Sequence, residues 1–446
     1  MAASGAAGLL AAPAGRPAGA GSYGAMKPPA NAGIVCEAEL AKAALQKTEQ
    51  KVSAPQMVLN LVAGGLGSGI FSLPWSTAGA SLIPSVAIVA GVLLVNGWTI
   101  MILVEAAERK NTFDLGGLLA HLPGAAGPVM QWLCNGLVWL SGYMSLVSYF
   151  IIIADSILPF AASASVLQNR GTVVCLVAIA VVPLSFMSQR DMSWTSLAVV
   201  LANLYIFALL ARLYEVDPAP ADVCILGFSR GNIAMVSAMM QAIVVQMCVL
   251  PMYGSLEGRS PRAFLGVLVT GFSCLFAIFT AFSVVAYLTF GPEVHGNVLV
   301  DLPHNFWGNL ARLAASLSVL GVFPLILMPM MAPIQAWPRL RERGARCRDA
   351  VTNLVKFGLI GAVTVAAYYI HDLGFMNVVN GAMCIGVVVA ACPALVGLWL
   401  LERERALLWQ LAMGSLLVLG ALGSLLGLVY TDNYVSLLKT SCVWVL

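Results

Sequence analysis

The tightest constraint on this chain is a succession of apolar runs from residue 55 to residue 430, each long enough to cross a bilayer, with short polar gaps between them. A spanning helix needs about 20 apolar residues. Eleven runs qualify, at 55–78, 82–106, 127–155, 172–188, 194–212, 232–254, 263–290, 309–333, 352–370, 375–400 and 407–430. Lipid offers a backbone no hydrogen-bond partners, so such runs must be helical. Charged residues make up 10% of the chain and mean hydropathy is +0.90; a soluble domain carries about 25% charged residues. The expected fold is an all-α polytopic membrane protein of about eleven transmembrane helices.

Three segments follow. Residues 1–50 are an N-terminal tail whose Ala-, Gly- and Pro-rich first part predicts disorder, with Cys36–Lys51 suited to a short polar helix. Residues 51–430 hold the spans, and residues 431–446 form a short C-terminal tail. Lys and Arg favour the cytoplasmic side. With the N-terminus in the cytoplasm, Arg109, Lys110, Arg190, Arg259, Arg262, the run Arg339–Arg348, Arg403 and Arg405 all fall inside. Of the 23 Lys and Arg, only Arg170, Arg212, Arg230, Arg312 and Lys439 then fall outside. Eleven spans place the C-terminus on the non-cytoplasmic side. The run Arg339–Arg348 reads as a topology anchor, and no nucleic-acid partner is expected.

The ten cysteines show no Cys-x-x-Cys spacing, which argues against a zinc site or a disulfide framework. Cys224 and Cys442 are the two placed outside, where a bond between them is possible. His121, His295, His304 and His371 fall in or beside loops and are not spaced as a metal pair. No metal or cofactor is expected.

The first run contains Gly64, Gly65, Gly67 and Gly69, with Pro74 beyond. Each glycine costs a helix about 1 kcal/mol relative to alanine, and Pro74 removes a donor. A weak point at membrane depth is tolerated where the backbone lines a cavity, and freed N–H groups there hold anions. Small residues also permit close helix–helix contact, an equally weighted reading of the glycines alone.

Stretches from five helices carry a family resemblance. Gly67-Ser-Gly-Ile-Phe-Ser-Leu-Pro-Trp75 resembles the first helix of the amino acid/auxin permease family. Arg190-Asp-Met-Ser-Trp-Thr-Ser196 resembles the start of its fifth helix. Val249-Leu-Pro-Met-Tyr-Gly-Ser-Leu-Glu257 with Arg259-Ser-Pro-Arg262 resembles the end of its sixth. Tyr287-Leu-Thr-Phe-Gly291, Asn297-Val-Leu299, Arg312-Leu-Ala and Phe323-Pro with Pro329 resemble its seventh and eighth. The resemblance covers residues 55 to 430. It implies a five-plus-five inverted repeat with broken helices 1 and 6, and an amino acid bound between the breaks. It further implies transport by alternating access, with H⁺ or Na⁺ as the usual driving ion.

On that basis the expected substrate-binding residues are Gly65, Gly67, Ser68, Gly69, Gln241, Ala242 and Gln246. The N–H groups of Gly67, Ser68 and Gly69 suit a carboxylate, which needs donors to replace its lost water. Gln241, Ala242 and Gln246 suit the amine or side chain. The family's usual aromatic residue and histidine read Ile243 and Gln246 here, and glutamine carries no proton. Hydroxyls that help hold sodium on the eighth helix read Leu320 and Val322, and the second Asn of the first-helix motif reads Ala63. The ion-coupling candidates are therefore Asn60, Asp155, Ser316 and Ser318, with H⁺ or no ion favoured over Na⁺. Glu105 and Asp155 are the acids nearest the membrane interior, where ionisable groups are functional candidates. Asn135, Ser141 and Tyr143 of the third run are candidate cavity residues.

Two other readings compete. A membrane-embedded enzyme needs a His, acid or nucleophile constellation, and the sequence contains neither that nor a GxxxxGK[ST] phosphate loop. An amino-acid sensor with little flux would use the same binding residues. The expected location is a multi-pass plasma-membrane or vacuolar/lysosomal protein, and no Asn-x-Ser/Thr sequon distinguishes the two.

Overall fold

The structure, a computed structural model, describes residues 51–161, 169–186, 193–216, 222–243, 245–335, 340, 344–401, 406–430 and 442–445. These belong to one compact unit, Lys51–Leu446. The tail 1–50, Arg190 to Met192, Arg339 and Arg341 to Arg343 of the run Arg339–Arg348, Arg403, Arg405 and Lys439 lie outside the described residues.

Each of the eleven apolar runs corresponds to a helix. Among the described residues nine helices are long and apolar enough to cross a membrane, and the first run adds a bent pair. The fourth, Arg170–Leu184, is apolar but has only 15 residues. At 1.5 Å per residue it rises about 22 Å, less than the hydrocarbon thickness of about 30 Å.

The first span runs as Ala54–Gly65, a 3₁₀ turn at Ser68–Ser72, and Leu73–Ala80, bent by 45°. Pro55 and Pro74 both sit in the first turn of their helices. There the missing N–H is one that no helical carbonyl accepts, so Pro74 starts the second half without cost. The sixth span is Gly231–Ala242 and Gln246–Ser255, separated at Ile243–Val245. The second and third spans are the long helices Leu82–Lys110 and Ala126–Ile157, and the fifth is Ser193–Val216. The seventh to ninth are Pro261–Phe290, Phe306–Gln335 and Ala345–Tyr369. The tenth is Leu373–Cys384, a π-helical turn at Ile385–Ala391 and Cys392–Trp399; the eleventh is Leu407–Val429. Two broken spans five apart are the pattern of a five-plus-five repeat.

We call the end holding Val52, Arg109 and Arg259 inner, and the opposite end outer. The first and sixth spans are stitched together at both. At the inner end Val52 N–H donates to Ser255 C=O at 2.8 Å and Glu257 N–H donates to Val52 C=O at 2.9 Å. At the outer end Ser81 Oγ donates to Gly227 C=O at 3.0 Å and accepts from Gly227 N–H at 2.9 Å. Ser229 Oγ donates to Gly79 C=O at 2.8 Å. These bonds hold Ser81 at φ 69°, ψ 164°, a region that non-glycine residues occupy only when their surroundings impose it.

The helices sort into two packed groups. The seventh span lies against the first and second, and the second lies against the sixth. The eighth and ninth lie against the third, and the ninth also against the fourth. The tenth touches both groups, packing on the sixth, the third and the first-span break. Outside the helices, strand β1 (Cys224–Gly227) pairs antiparallel with β2 (Cys442–Val445), and a Cys224–Cys442 disulfide joins them. The bond the sequence left open is present, and the last residues of the C-terminal tail are held in a sheet. Cys224 N–H also donates to Tyr287 Oη at 2.9 Å.

Candidate functional site

The two breaks abut. A Cβ on Gly69 would lie 2.6 Å from Ala242 Cα and 2.8 Å from its Cβ, so only glycine fits there. Gly65 is similarly filled, its Cβ position lying 2.8 Å from a Leu275 methyl. None of Gly64, Gly65, Gly67 and Gly69 has positive φ. Close contact, rather than backbone freedom, is therefore the reason for glycine at 69, where the neighbour is backbone; at 65 the neighbour is the end of the Leu275 side chain, which can shift. Gly67 differs: a Cβ there would meet only Tyr149 Oη, at 3.6 Å. Gly67 is half-buried, whereas Ser68 and Gly69 are buried. At the start of a helical segment the first N–H groups have no carbonyl within the helix, which leaves those of Ser68 and Gly69 without intrahelical acceptors.

A polar seam runs beside the breaks. Asn377 Nδ2 of the tenth span donates to Ser72 Oγ at 2.8 Å and to Ser68 C=O at 3.5 Å. Ser148 Oγ of the third span donates to Asn377 Oδ1 at 3.3 Å. One turn along, Asn380 Nδ2 donates to Ser141 C=O at 3.1 Å and Ser145 Oγ at 3.3 Å. Gln241 Nε2 also donates to Ser145 Oγ, at 3.2 Å. Gln241 Oε1 is buried without a partner. Tyr149, almost fully buried, covers Gly67 from the third span.

The structure thus brings Gly67, Ser68, Gly69, Gln241 and Ala242 together. Gln246 departs from expectation. It is fully buried and its Nε2 donates to Asn96 Oδ1 of the second span. Asn96 Nδ2 in turn donates to Val92 C=O at 2.9 Å and Met240 Sδ at 3.2 Å. Gln241 and Gln246 therefore face different neighbours, and Gln246 acts as a clasp to the second span. Its Oε1, too, is buried without a partner.

The ion-coupling candidates are dispersed. Asn60 is exposed. Ser316 Oγ donates to Arg312 C=O at 2.9 Å, and Ser318 is buried on the same helix. Asp155 forms an ion pair with Arg170 at 2.6 Å and accepts from Asn297 Nδ2 at 3.0 Å. Among the described residues no hydrogen bond joins these four to the breaks. Arg312 is fully buried and donates to the carbonyls of Leu299, Leu302 and Pro303, fixing the seventh–eighth connection. Glu105 is half-buried near the inner end. Of the third-span candidates, only Ser141 joins the seam. Tyr143 donates to Ala362 C=O at 3.2 Å, and Asn135 sits beside Gly116 of the short helix Leu115–Leu119 between the second and third spans.

Asn377, Asn380, Ser145, Ser148, Asn96 and Tyr149 were not singled out from sequence. The available signal was polar side chains spaced three or four apart in apolar runs: 141, 145 and 148 on one helix, 377 and 380 on another. That spacing aligns them on one helical face.

Residues 50–431 match the family described as "Transmembrane amino acid transporter protein". The chain belongs to this family. It is a family of transporters, not of enzymes. Similar proteins include the "Putative sodium-coupled neutral amino acid transporter 8" of Xenopus tropicalis, 23% identical over 68% of this chain and 74% of that protein. The "Solute carrier family 38 member 8" of Mus musculus is 23% identical over 63% and 68%. The "Putative sodium-coupled neutral amino acid transporter 11" of Bos taurus is 24% identical over 83% and 81%. Among solved structures, MhsT in complex with L-phenylalanine matches with TM-score 0.49 and 14% identity, covering 86% of this chain and 100% of that one.

Proposed function

We propose that this chain is a secondary active transporter that moves amino acids by alternating access. The observation that carries the proposal is the contact of the two breaks, Gly69 on Ala242, within spans stitched at both ends. Stitched spans move as one body, and a ligand held between their breaks moves with the switch of access. The N–H groups of Gly67, Ser68 and Gly69 take the substrate carboxylate in place of water. Gln241 Oε1, an acceptor without a donor, takes the amine or a polar side chain. Ala63, Gly64 and Ala242 are small, which suits a medium or large neutral amino acid.

Coupling is to protons or to no ion. The supporting observations are Leu320 and Val322, which offer no oxygen, and the engagement of Ser316 with its own helix. The sodium-coupled relatives by name make sodium the competing reading. Asp155 is the proton-site candidate. Protonation removes its charge and weakens the tie to Arg170 and Asn297, which spans the outer ends of the third and fourth spans and the seventh–eighth connection. Asp155→Asn removes that charge permanently, so acid stimulation of uptake is expected to fall; an unchanged pH profile excludes the role. The N-terminus is assigned to the cytoplasm on the Lys and Arg distribution, which leaves the plasma membrane and the vacuolar/lysosomal membrane equally open.

Gly67→Val tests the binding mode. Its added methyls fill the space under Tyr149 while sparing the Gly69–Ala242 contact. Uptake is expected to disappear while the protein still reaches the membrane, and normal uptake by that variant rejects the binding mode.

A further inference from the structure

The tenth span carries two buried asparagines one turn apart, Asn377 and Asn380. Asn377 is bonded to both packed groups, and Asn380 to the third span, where it shares Ser145 with Gln241 of the sixth. Asn377 joins the first-span break, at Ser68 and Ser72, to Ser148 of the third span. Asn380 joins Ser141 and Ser145 of the third span, and Ser145 accepts from Gln241 beside the sixth-span break. Buried amides are retained where every bond they make is made well, because an unpaired one costs more than an apolar side chain. Simple packing between helices asks for no amide at either position, and a leucine of similar bulk would fill the space.

We infer that Asn377 is a positioning residue for substrate binding, with Asn380 its counterpart at the sixth-span break; this rests on the transport reading above. A peptide unit is planar, with C=O and the next N–H pointing in opposite directions. Asn377 holds the Ser68 carbonyl toward the tenth span, and thereby turns the Gly69 N–H away from it. Its second bond, to Ser72 Oγ, fixes that hydroxyl, which donates to Gly69 C=O at 3.0 Å. Both peptide units flanking Gly69 are therefore set by one side chain. Ser148, by donating to Asn377 Oδ1, sets which way the amide faces.

The test is kinetic. Wild type, Asn377→Asp, Ser148→Ala and the double variant are reconstituted in proteoliposomes, and uptake of radiolabelled neutral amino acids is fitted for KM and Vmax. Asn377→Asp keeps the size and loses the amide donor but adds a carboxyl group, so Asn377→Leu, uncharged and of similar bulk, is measured beside it and must show the same rise in KM. Loss of the bonds from Nδ2 to Ser72 and Ser68 predicts a KM raised about tenfold or more, with Vmax per folded transporter kept. Ser148→Ala should raise KM by less. The double variant should match Asn377→Asp alone, since both act through the same amide. A merely structural role would lower the yield of folded protein and Vmax and leave KM unchanged. Unchanged KM in folded Asn377→Asp, or additive effects in the double variant, overturns the inference. Should Asn377→Asp not fold, Asn377→Ser gives the same KM-against-Vmax split. If wild type neither binds nor moves any amino acid, the transport reading fails instead.

Discussion

The two breaks meet at Gly69 and Ala242 but are built in opposite ways. The first is small and polar: Gly67, Ser68, Gly69 and Ser72, tied by side chains to the tenth and third spans. The sixth is apolar, with Ile243 and Val245 both buried. It closes on itself: Ile243 N–H donates to Met240 C=O at 3.3 Å, and Val245 N–H to Ile243 C=O at 2.7 Å. Ile243 has φ −126° and Val245 φ −94°, which any residue adopts. The sixth break therefore needs no glycine. The first needs it at Gly69, because another backbone arrives there. Glycine marks the approach of a neighbour, and a helix can break without it.

The contrast can be attacked most forcefully at its point of contact. Gly69→Val forces methyls into Ala242, and overpacking of this kind costs about 1–3 kcal/mol or more; loss of both thermal stability and uptake is expected. A stable, active Gly69→Val would show that the breaks do not touch. A smaller effect separates the clasp from the site. Gln246→Leu strands Asn96 in the interior, at a cost of about 1–3 kcal/mol, so melting should occur at lower temperature while KM stays near wild type. A raised KM at normal stability would return Gln246 to the binding site. Gln241→Ala removes one neutral bond to Ser145 and an acceptor; KM should rise about fivefold without a comparable loss of stability. Gly67→Ala is the mildest: the added methyl meets only Tyr149 Oη at 3.6 Å, so the melting temperature should stay within a degree or two of wild type, as for other substitutions without strain. A large drop would place Gly67 with Gly69 as a packing glycine.

The apolar runs made the fold legible, since membrane depth leaves the backbone few options. The first break was legible because its glycines cluster. The sixth was legible only through the family, since a break that heals by local turns in Ile and Val leaves no compositional mark. The site was half legible. Gly69 and Ala242 were named, but their mutual contact is a long-range fact that one sequence does not contain. Asn377, Asn380 and Ser148 were missed because a few polar residues in an apolar run look alike whether they face a partner or a neighbouring helix. Gln246 was assigned by its place in the motif, and its engagement with Asn96 depends on helix rotation that spacing does not fix. The disulfide between Cys224 and Cys442 depended on where the far C-terminus returns.

Amino-acid transport without a sodium site on the eighth span is what we propose for this chain. Its most direct test is uptake of a radiolabelled amino-acid mixture by proteoliposomes under an inward H⁺ gradient, an inward Na⁺ gradient, and neither. The expected result is uptake that a Na⁺ gradient does not raise, and that either responds to H⁺ or needs no gradient. Uptake driven by Na⁺ alone would contradict it and show that oxygens other than those expected at positions 320 and 322 hold the ion.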